Sequence, residues 1–289
     1  MGDNKMLNIY DTTFEECEVL NEKWNQFRHS RVPFIQEQSE LEIYRCIKDN
    51  GKVVAGIEAS IYGWNAVSIE ELWVDESYRN RGFASALLKE VEEYARKKGC
   101  NLSHVETWDF QASGMYEKNG YVVFGISKEN VGKYNDNFLS KRLEVEQTLS
   151  DIEIVVSTAE EAEFVSDELL NYNVSCVPIK EDSTFIHINK CIKIEGSIVG
   201  SLSTLFIRGW NIMIIDHLWF DEQFQNRGFA TALFTEVEKA AVNQGGHVIS
   251  VITYDFHAKD FYKKQGFEIN GILENCPQGY NRYYMSKKL

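Results

Sequence analysis

Residues Ile69 to Ala95 read IEELWVDESYRNRGFASALLKEVEEYA, and residues Ile215 to Ala241 read IDHLWFDEQFQNRGFATALFTEVEKAA. In each, an apolar strand pattern runs through a turn and a single glycine into an amphipathic helix. Phe83, Leu87 and Val91 recur at i, i+4 and i+8, with Ala84, Leu88 and Ala95 beside them, so one helix face is prepared to pack on a sheet. The copies stand 146 positions apart, and the correspondence continues without a gap from Ile61–Leu143 to Ile207–Leu289. That length indicates duplication. A chain of 289 residues suits two domains, expected at 1–143 and 151–289, each large enough for its own core. Glu144 to Ser150 is left as a short polar linker.

The junction of strand and helix, Arg79-Asn80-Arg81-Gly82-Phe83-Ala84 and again Gln225-Asn226-Arg227-Gly228-Phe229-Ala230, carries the chemical meaning. A helix opening offers unpaired backbone N–H groups and the positive end of its dipole, where a pyrophosphate can sit if the backbone comes close. Gly82 and Gly228 permit that approach, Ala84 and Ala230 keep side chains out of the way, and Arg81 and Arg227 can add charge-assisted contacts. An ordinary strand-to-helix turn is the plain alternative, because glycine is the default residue of tight turns.

Arg/Gln-x-x-Gly-x-Ala after a strand such as LWVDE resembles the acetyl-CoA-binding motif of the GCN5-related N-acetyltransferases, the GNAT superfamily. Downstream, Met115-Tyr116-Glu117-Lys118-Asn119-Gly120-Tyr121 and Phe261-Tyr262-Lys263-Lys264-Gln265-Gly266-Phe267 are similar to the family's FYEKxGF segment. The resemblance implies an α/β (α+β) protein of two tandem domains, each a mixed, mostly antiparallel sheet flanked by helices. It implies acetyl-CoA as cosubstrate and no metal. It places the thioester beside a splayed central strand, against the backbone of Leu72-Trp73-Val74 or Leu218-Trp219-Phe220. Tyr116 and Tyr262 match the tyrosine that protonates the leaving thiolate, a role within reach of a phenol; a helix aromatic packed in the core is the competing role.

Candidate bases precede the turn. Strand alternation predicts that Glu70 shares a face with Leu72 and Val74, and Asp216 with Leu218 and Phe220, while Glu71 and His217 point the other way. A carboxylate at Glu70 or Asp216, as in polyamine acetyltransferases, would take a proton or hold a cationic amine; a solvated strand end is the alternative. Asp109 and Asp255 stand where many family members carry Asn, which puts a pantetheine contact there in doubt.

Composition sets outer limits. The net charge of −14 argues against a nucleic-acid binder, which needs clustered Lys and Arg, and suits an amine-bearing small molecule or peptide. Six cysteines without CxxC spacing indicate free thiols, and histidines without ligand spacing indicate no metal. No stretch has the roughly 20 apolar residues of a membrane helix, and the first residues, MGDNKMLNIY, have no apolar signal region, so a cytoplasmic protein is expected.

Further along, Met6 to Tyr10 and Ile152 to Val156 are expected strands, each leading into a capped helix. The less regular stretches Trp24–Phe34 and Leu170–Ile179 differ between copies, and in such transferases this region shapes the acceptor site. Gly63-Trp64-Asn65 and Gly209-Trp210-Asn211 are better explained by a hairpin with a packed aromatic than by a ligand contact. Pro277-Gln278-Gly279 has no counterpart in the first copy, which reads Asn130-Val131-Gly132-Lys133. Acetyl transfer from acetyl-CoA to an amine, by direct attack, is the expected function. The alternative is that one half is a non-catalytic CoA-binding or structural module for the other, and an internal pseudo-dimer of halves is expected.

Overall fold

The computed structural model describes residues 8–32, 40–146, 148–178 and 185–289. Met6 and Leu7 of the expected first strand, Phe34 and Ile179 lie outside them. The first repeat runs β1 (Ile9–Asp11), α1 (Phe14–Arg31), β2 (Glu40–Asp49), β3 (Lys52–Tyr62), β4 (Ala66–Val74), α2 (Phe83–Lys97), β5 (Leu102–Trp108), α3 (Ser113–Lys118), β6 (Val122–Val131) and β7 (Tyr134–Arg142). The second runs β8 (Val155–Val156), α4 (Ala159–Cys176), β9 (Phe185–His187), β10 (Lys190–Ile194), β11 (Ser197–Ile207), β12 (Ile212–Phe220), α5 (Phe229–Asn243), β13 (Val248–Tyr254), α6 (Lys259–Lys264), β14 (Glu268–Leu273) and β15 (Arg282–Lys288). Both sheets are mixed and mostly antiparallel; β4 with β5 and β12 with β13 are parallel pairs.

The two repeats and the two compact units are different partitions of the chain. One unit, the early-sheet unit, comprises Phe34–Pro178 and Gly271–Asn281; the late-sheet unit comprises Met1–Pro33, Ile179–Asn270 and Arg282–Leu289. The expected boundaries at 143 and 151 therefore do not bound the folded bodies. Each repeat's opening strand and helix has gone to the other repeat's sheet.

In the early-sheet unit β8 pairs with β2, Arg45 opposite Val156. Helix α4 starts with a capping box between Thr158 and Glu161, and Glu161 also receives Lys48 at 2.5 Å. Val165 of α4 is buried against Gly56 of β3, where a Cβ would come within 2.3 Å of it. The late-sheet unit repeats the arrangement: β1 pairs with β10, Ile9 opposite Ile192. Helix α1 has the Thr13–Glu16 capping box, and Glu16 receives Lys193 at 2.6 Å. Identical caps and ion pairs in both units follow from duplication, since the cap and the Glu–Lys pair can be formed by either copy of the helix.

The segment Gly271–Asn281, with the Pro277-Gln278-Gly279 turn, belongs to the early-sheet unit. There Arg142 donates to the Glu274 carbonyl at 3.2 Å. The first Gly-Trp-Asn turn shows the packed aromatic: Trp64 is buried and meets Tyr62 edge-on at 6.4 Å, while Trp210 of the second is half-buried. Asn65 and Asn211 take φ of 58° and 56°, the left-handed region that asparagine tolerates. Among the described residues no helix is long and apolar enough to cross a membrane.

Candidate acetyl-transfer site

The central strands part where the sequence places the chemistry. Pairing of β4 with β5 ends at Ile69 and Val105, although β4 continues to Val74 and β5 to Trp108. Pairing of β12 with β13 likewise ends at Ile215 and Val251, short of Phe220 and Tyr254. The backbone of Leu72-Trp73-Val74, and of Leu218-Trp219-Phe220, is released from its parallel neighbour there, and such groups call for a partner.

Beyond each strand comes a single 3₁₀ turn, Glu76–Tyr78 or Glu222–Phe224, capped by Asp75 or Asp221. Asn80 and Gly82 then adopt φ of 61° and 85°, and Asn226 and Gly228 58° and 81°. At this φ a side chain is strained, and a Cβ on Gly82 or Gly228 would have nothing within 4 Å. The glycine is thus demanded by backbone conformation and leaves open space above the turn. Neither α2 nor α5 has a side-chain cap on its first turn, so the N–H groups beyond Phe83, Ala84, Phe229 and Ala230 are available to an anion. Arg79 donates to the Val74 carbonyl and Gln225 to the Phe220 carbonyl, each at 3.2 Å. That shared role accounts for the exchange of Arg for Gln. Arg81 and Arg227 donate to the carbonyls of Ser77 at 2.9 Å and Gln223 at 2.7 Å, bracing the turn from within.

Tyr116 and Tyr262 are carried on α3 and α6. Each ring is buried, 5% and 3% exposed, and each joins the cluster that includes Leu72, Val74 and Phe83, or Leu218, Phe220 and Phe229. Tyr116 meets Tyr121 edge-on at 5.5 Å, and Tyr262 meets Phe267 at 5.3 Å. Core packing, the competing role, is met by both rings. Burial raises both phenol pKa values, so both stay protonated as proton donors must. A polar tie sets their place: Asn119 donates to Ser85 Oγ at 3.0 Å, and Gln265 to Thr231 Oγ1 at 3.3 Å. These bonds join the end of the tyrosine helix to the first turn of the helix that follows the glycine.

Glu70 and Asp216 do not share the face of Leu72 and Val74, or of Leu218 and Phe220. The ladder skips a residue: Ala59 is opposite Ile69 while Glu58 is opposite Glu71, and Thr204 is opposite Ile215 while Ser203 is opposite His217. A bulge reverses the alternation beyond it. Leu72 and Val74 therefore pack into the same cluster as Val67 and Ile69, and Glu70 and Glu71 both fall on the opposite face. Glu71 there accepts from Ser166 of α4 at 2.5 Å, and Trp73 meets Phe164 of α4 edge-on. Glu70 is exposed and accepts from Ser60 at 2.8 Å. Asp216 keeps solvent access, yet crowding by neighbouring atoms raises its carboxyl pKa, with His187 and Ser203 opposing. Asp109 accepts from the Asn135 N–H at 3.2 Å and Asp255 from Tyr283 at 2.6 Å, so both are engaged by the protein's own strands.

The far face of each central strand is covered by the exchanged helix, and the two coverings differ. In the early-sheet unit Asn173 accepts from Gln111 at 2.8 Å, Tyr172 donates to the Phe110 carbonyl at 3.1 Å, and Arg79 lies over the Tyr172 ring. In the late-sheet unit Trp24 of α1 stacks on His217 at 5.9 Å and tilts against His257 at 4.6 Å, with Phe27 at 5.9 Å from His257. The sequence gives no sign of these contacts, because their partners lie in opposite repeats.

Burial lowers the pKa of His217 to about 4. Burial, then the Arg28 charge, lowers that of His257 to about 3. The unfolded chain thus takes up these protons first as pH drops below about 6.5. Their contribution is complete above that pH and is lost progressively down to the folded values. Each group adds a slope of about 1.4 kcal/mol per pH unit within its window. The expected result of His257→Phe is a shallower fall in unfolding free energy between pH 6 and pH 4, by about that slope. Urea titrations of both chains measure it, and parallel curves would contradict the burial assignment.

Comparison with known proteins agrees with this geometry. The acetyltransferase (GNAT) family model matches residues 4–121 and again 152–267. Blasticidin-S acetyltransferase of Streptomyces morookaense is 35% identical over 106 residues, 36% of this chain and 77% of its own length. An acetyltransferase of Agrobacterium fabrum is 35% identical over 78 residues, 27% of this chain and 56% of its own. A solved acetyltransferase structure from Bacillus cereus has 33% identity and a TM-score of 0.45, covering 47% of this chain and 98% of its own. A family match across both repeats, over the same turns that the structure leaves open, means that the chain belongs to the GNAT family of acetyl-CoA-dependent acetyltransferases.

Proposed function

We propose that each unit transfers the acetyl group of acetyl-CoA directly to an amine of a small molecule or peptide, with Tyr116 and Tyr262 as the general acids. One observation carries this: in both units a released strand edge, an uncapped helix start behind a left-handed glycine, and a protonated tyrosine border one cluster. Acetyl-CoA supplies the activated thioester. The backbone from Arg79 to Ala84, and from Gln225 to Ala230, would hold the pyrophosphate. The free edge at Leu72-Trp73-Val74, or Leu218-Trp219-Phe220, would hold the pantetheine and help to polarise the carbonyl. Glu70 and Asp216, exposed at the bulge, receive the proton that the amine sheds, and crowding by neighbouring atoms, which raises the pKa of Asp216, favours its taking up that proton. The tyrosine hydroxyl gives its proton to the departing thiolate. A small-molecule acceptor is also the reading favoured by a relative that acts on blasticidin S.

The test is turnover with Tyr116→Phe, Tyr262→Phe and the double variant. The double variant is expected to lose on the order of 10²–10⁴ in turnover, while acetyl-CoA affinity stays at the native value. Full activity in the double variant would remove the tyrosines from the mechanism. Loss from one single variant alone would favour the second reading, a working half supported by a silent one.

A further inference from the structure

Tyr116 and Tyr262 are carried on helices too short to hold themselves. Helices α3 and α6 have six residues each and no side-chain cap at the first turn, and so short a helix is unstable alone. At the far end the backbone closes on itself: the Asn119 N–H reaches the Met115 and Tyr116 carbonyls, and the Gln265 N–H those of Phe261 and Tyr262. A side chain then carries that end to another element. In the early-sheet unit Asn119 Nδ2 donates to Ser85 Oγ at 3.0 Å and to the Met115 carbonyl at 2.8 Å. In the late-sheet unit Gln265 Nε2 donates to Thr231 Oγ1 at 3.3 Å.

Both members of this pair differ between the repeats, asparagine with serine in one and glutamine with threonine in the other, at equivalent positions. The bond is kept with its polarity: an amide donates and a hydroxyl accepts. Stability alone does not require that, since replacing both partners of such a bond by apolar groups is nearly neutral.

The hydroxyl stands at a particular place. Ser85 and Thr231 lie in the first turns of α2 and α5, just before the first N–H that bonds within the helix, Ala86 to Gly82 and Ala232 to Gly228. They share that turn with the open N–H groups to which the pyrophosphate is assigned above. A hydroxyl has one proton and two lone pairs, and an amide NH₂ can only donate. The amide therefore takes a lone pair and leaves the proton for another acceptor; among the described residues neither hydroxyl donates elsewhere. When that proton bonds a phosphate oxygen, the hydroxyl becomes a better acceptor, because hydrogen bonds in a chain polarise one another. The amide bond then tightens, and the tyrosine helix with it.

We infer that Asn119 and Gln265 are positioning residues that couple filling of the pyrophosphate site to placement of the tyrosine, through the hydroxyls of Ser85 and Thr231. This rests on the proposed roles of the turn and the tyrosine. An acid has to lie within hydrogen-bond reach of the sulfur, and a displacement of about 1 Å can cost on the order of 10²-fold in rate.

The experiment uses the full chain with two sets of substitutions: Asn119→Leu with Gln265→Leu and, from the other side of the bond, Ser85→Ala with Thr231→Ala. Ring order is read by fluorine NMR of chains made with fluorotyrosine, the signals of Tyr116 and Tyr262 being assigned through their phenylalanine variants. A ring that exchanges between positions gives a broadened signal. Spectra are taken before and after saturation with desulfo-coenzyme A, which carries the pyrophosphate and lacks the sulfur. Turnover is measured with acetyl-CoA and blasticidin S.

In the native chain desulfo-coenzyme A should sharpen both signals. The leucine chain should bind it with the native stoichiometry, counted by calorimetry, and keep both signals broad. Its kcat should fall by about tenfold to a hundredfold while the KM for acetyl-CoA stays at the native value. Asn119→Gln, which gives both units glutamine, should keep most of the native turnover. The alanine chain should lose the sharpening too, and combining the two sets should cost no more in kcat than the larger loss alone. Sharpening that survives in both chains, or losses of kcat that add, overturns the coupling. If the tyrosine variants keep full turnover, the general-acid reading fails; if the native chain does not acetylate blasticidin S, the rate comparison falls away. In both cases the ring signals decide the coupling separately: lost sharpening supports it and retained sharpening refutes it.

Discussion

Replacing Gly82 with aspartate is expected to abolish acetyl-CoA binding in the early-sheet unit, and Gly228→Asp to do the same in the late-sheet unit, so that each variant binds one equivalent fewer per chain than the native protein. Two effects act together. The left-handed φ of 85° or 81° costs a side-chain-bearing residue about 1–2 kcal/mol, and the carboxylate then lies against the N–H groups that would receive the pyrophosphate. Gly82→Ala separates them. With nothing within 4 Å of the added Cβ, alanine carries only the conformational cost, and its binding should weaken by about tenfold. Isothermal titration of acetyl-CoA counts the sites. Equal loss from alanine and aspartate would show that shape alone sets the turn's role, and unchanged stoichiometry in both aspartate variants would place the phosphate elsewhere.

The left-handed turn before each helix was legible in the sequence because its requirements are local: a left-handed residue, a small residue after it and a helix to follow all lie within six positions. The short helix that carries Tyr116 or Tyr262 was legible for the same reason, and Asn119 and Gln265 explain why the segment around it repeats. Alternation along β4 misplaced Glu70, because a bulge leaves no mark in the strand that carries it; it appears only in the register against β3, Ala59 opposite Ile69 and Glu58 opposite Glu71. The exchange of α1 and α4 was beyond reach altogether. Duplicated segments present the same capping box and the same Glu–Lys pair, Glu16 to Lys193 and Glu161 to Lys48, so local pattern cannot say which sheet each helix joins.

That exchange leads to a second large expected effect: residues 1–146 and residues 148–289, expressed separately, each fail to show a cooperative unfolding transition, and regain one when co-expressed. Each half alone lacks the helix that covers its own sheet. A fully buried side chain such as Leu20 or Val165 is worth about 1.5–3 kcal/mol, and a few of them exhaust a total margin of about 5–15 kcal/mol. The half could instead fold its own opening helix back, which makes the residue-level fit decisive. At the positions of Val165, Ser166, Tyr172 and Asn173, α1 offers Leu20, Asn21, Phe27 and Arg28. Leucine, a longer side chain, would face the backbone of Gly56, where an added Cβ would come within 2.3 Å of Val165. Phe27 cannot donate to the Phe110 carbonyl as Tyr172 does, and Arg28 cannot accept from Gln111 as Asn173 does. The Lys48 pair would survive, through Glu16 in place of Glu161, and Asn21 could donate to Glu71 in place of Ser166. Thermal melts followed by circular dichroism on each half and on the co-expressed pair measure the outcome. A cooperative melt from either half alone would show that its own helix closes the sheet, and the exchanged arrangement would then be one of two comparably stable packings.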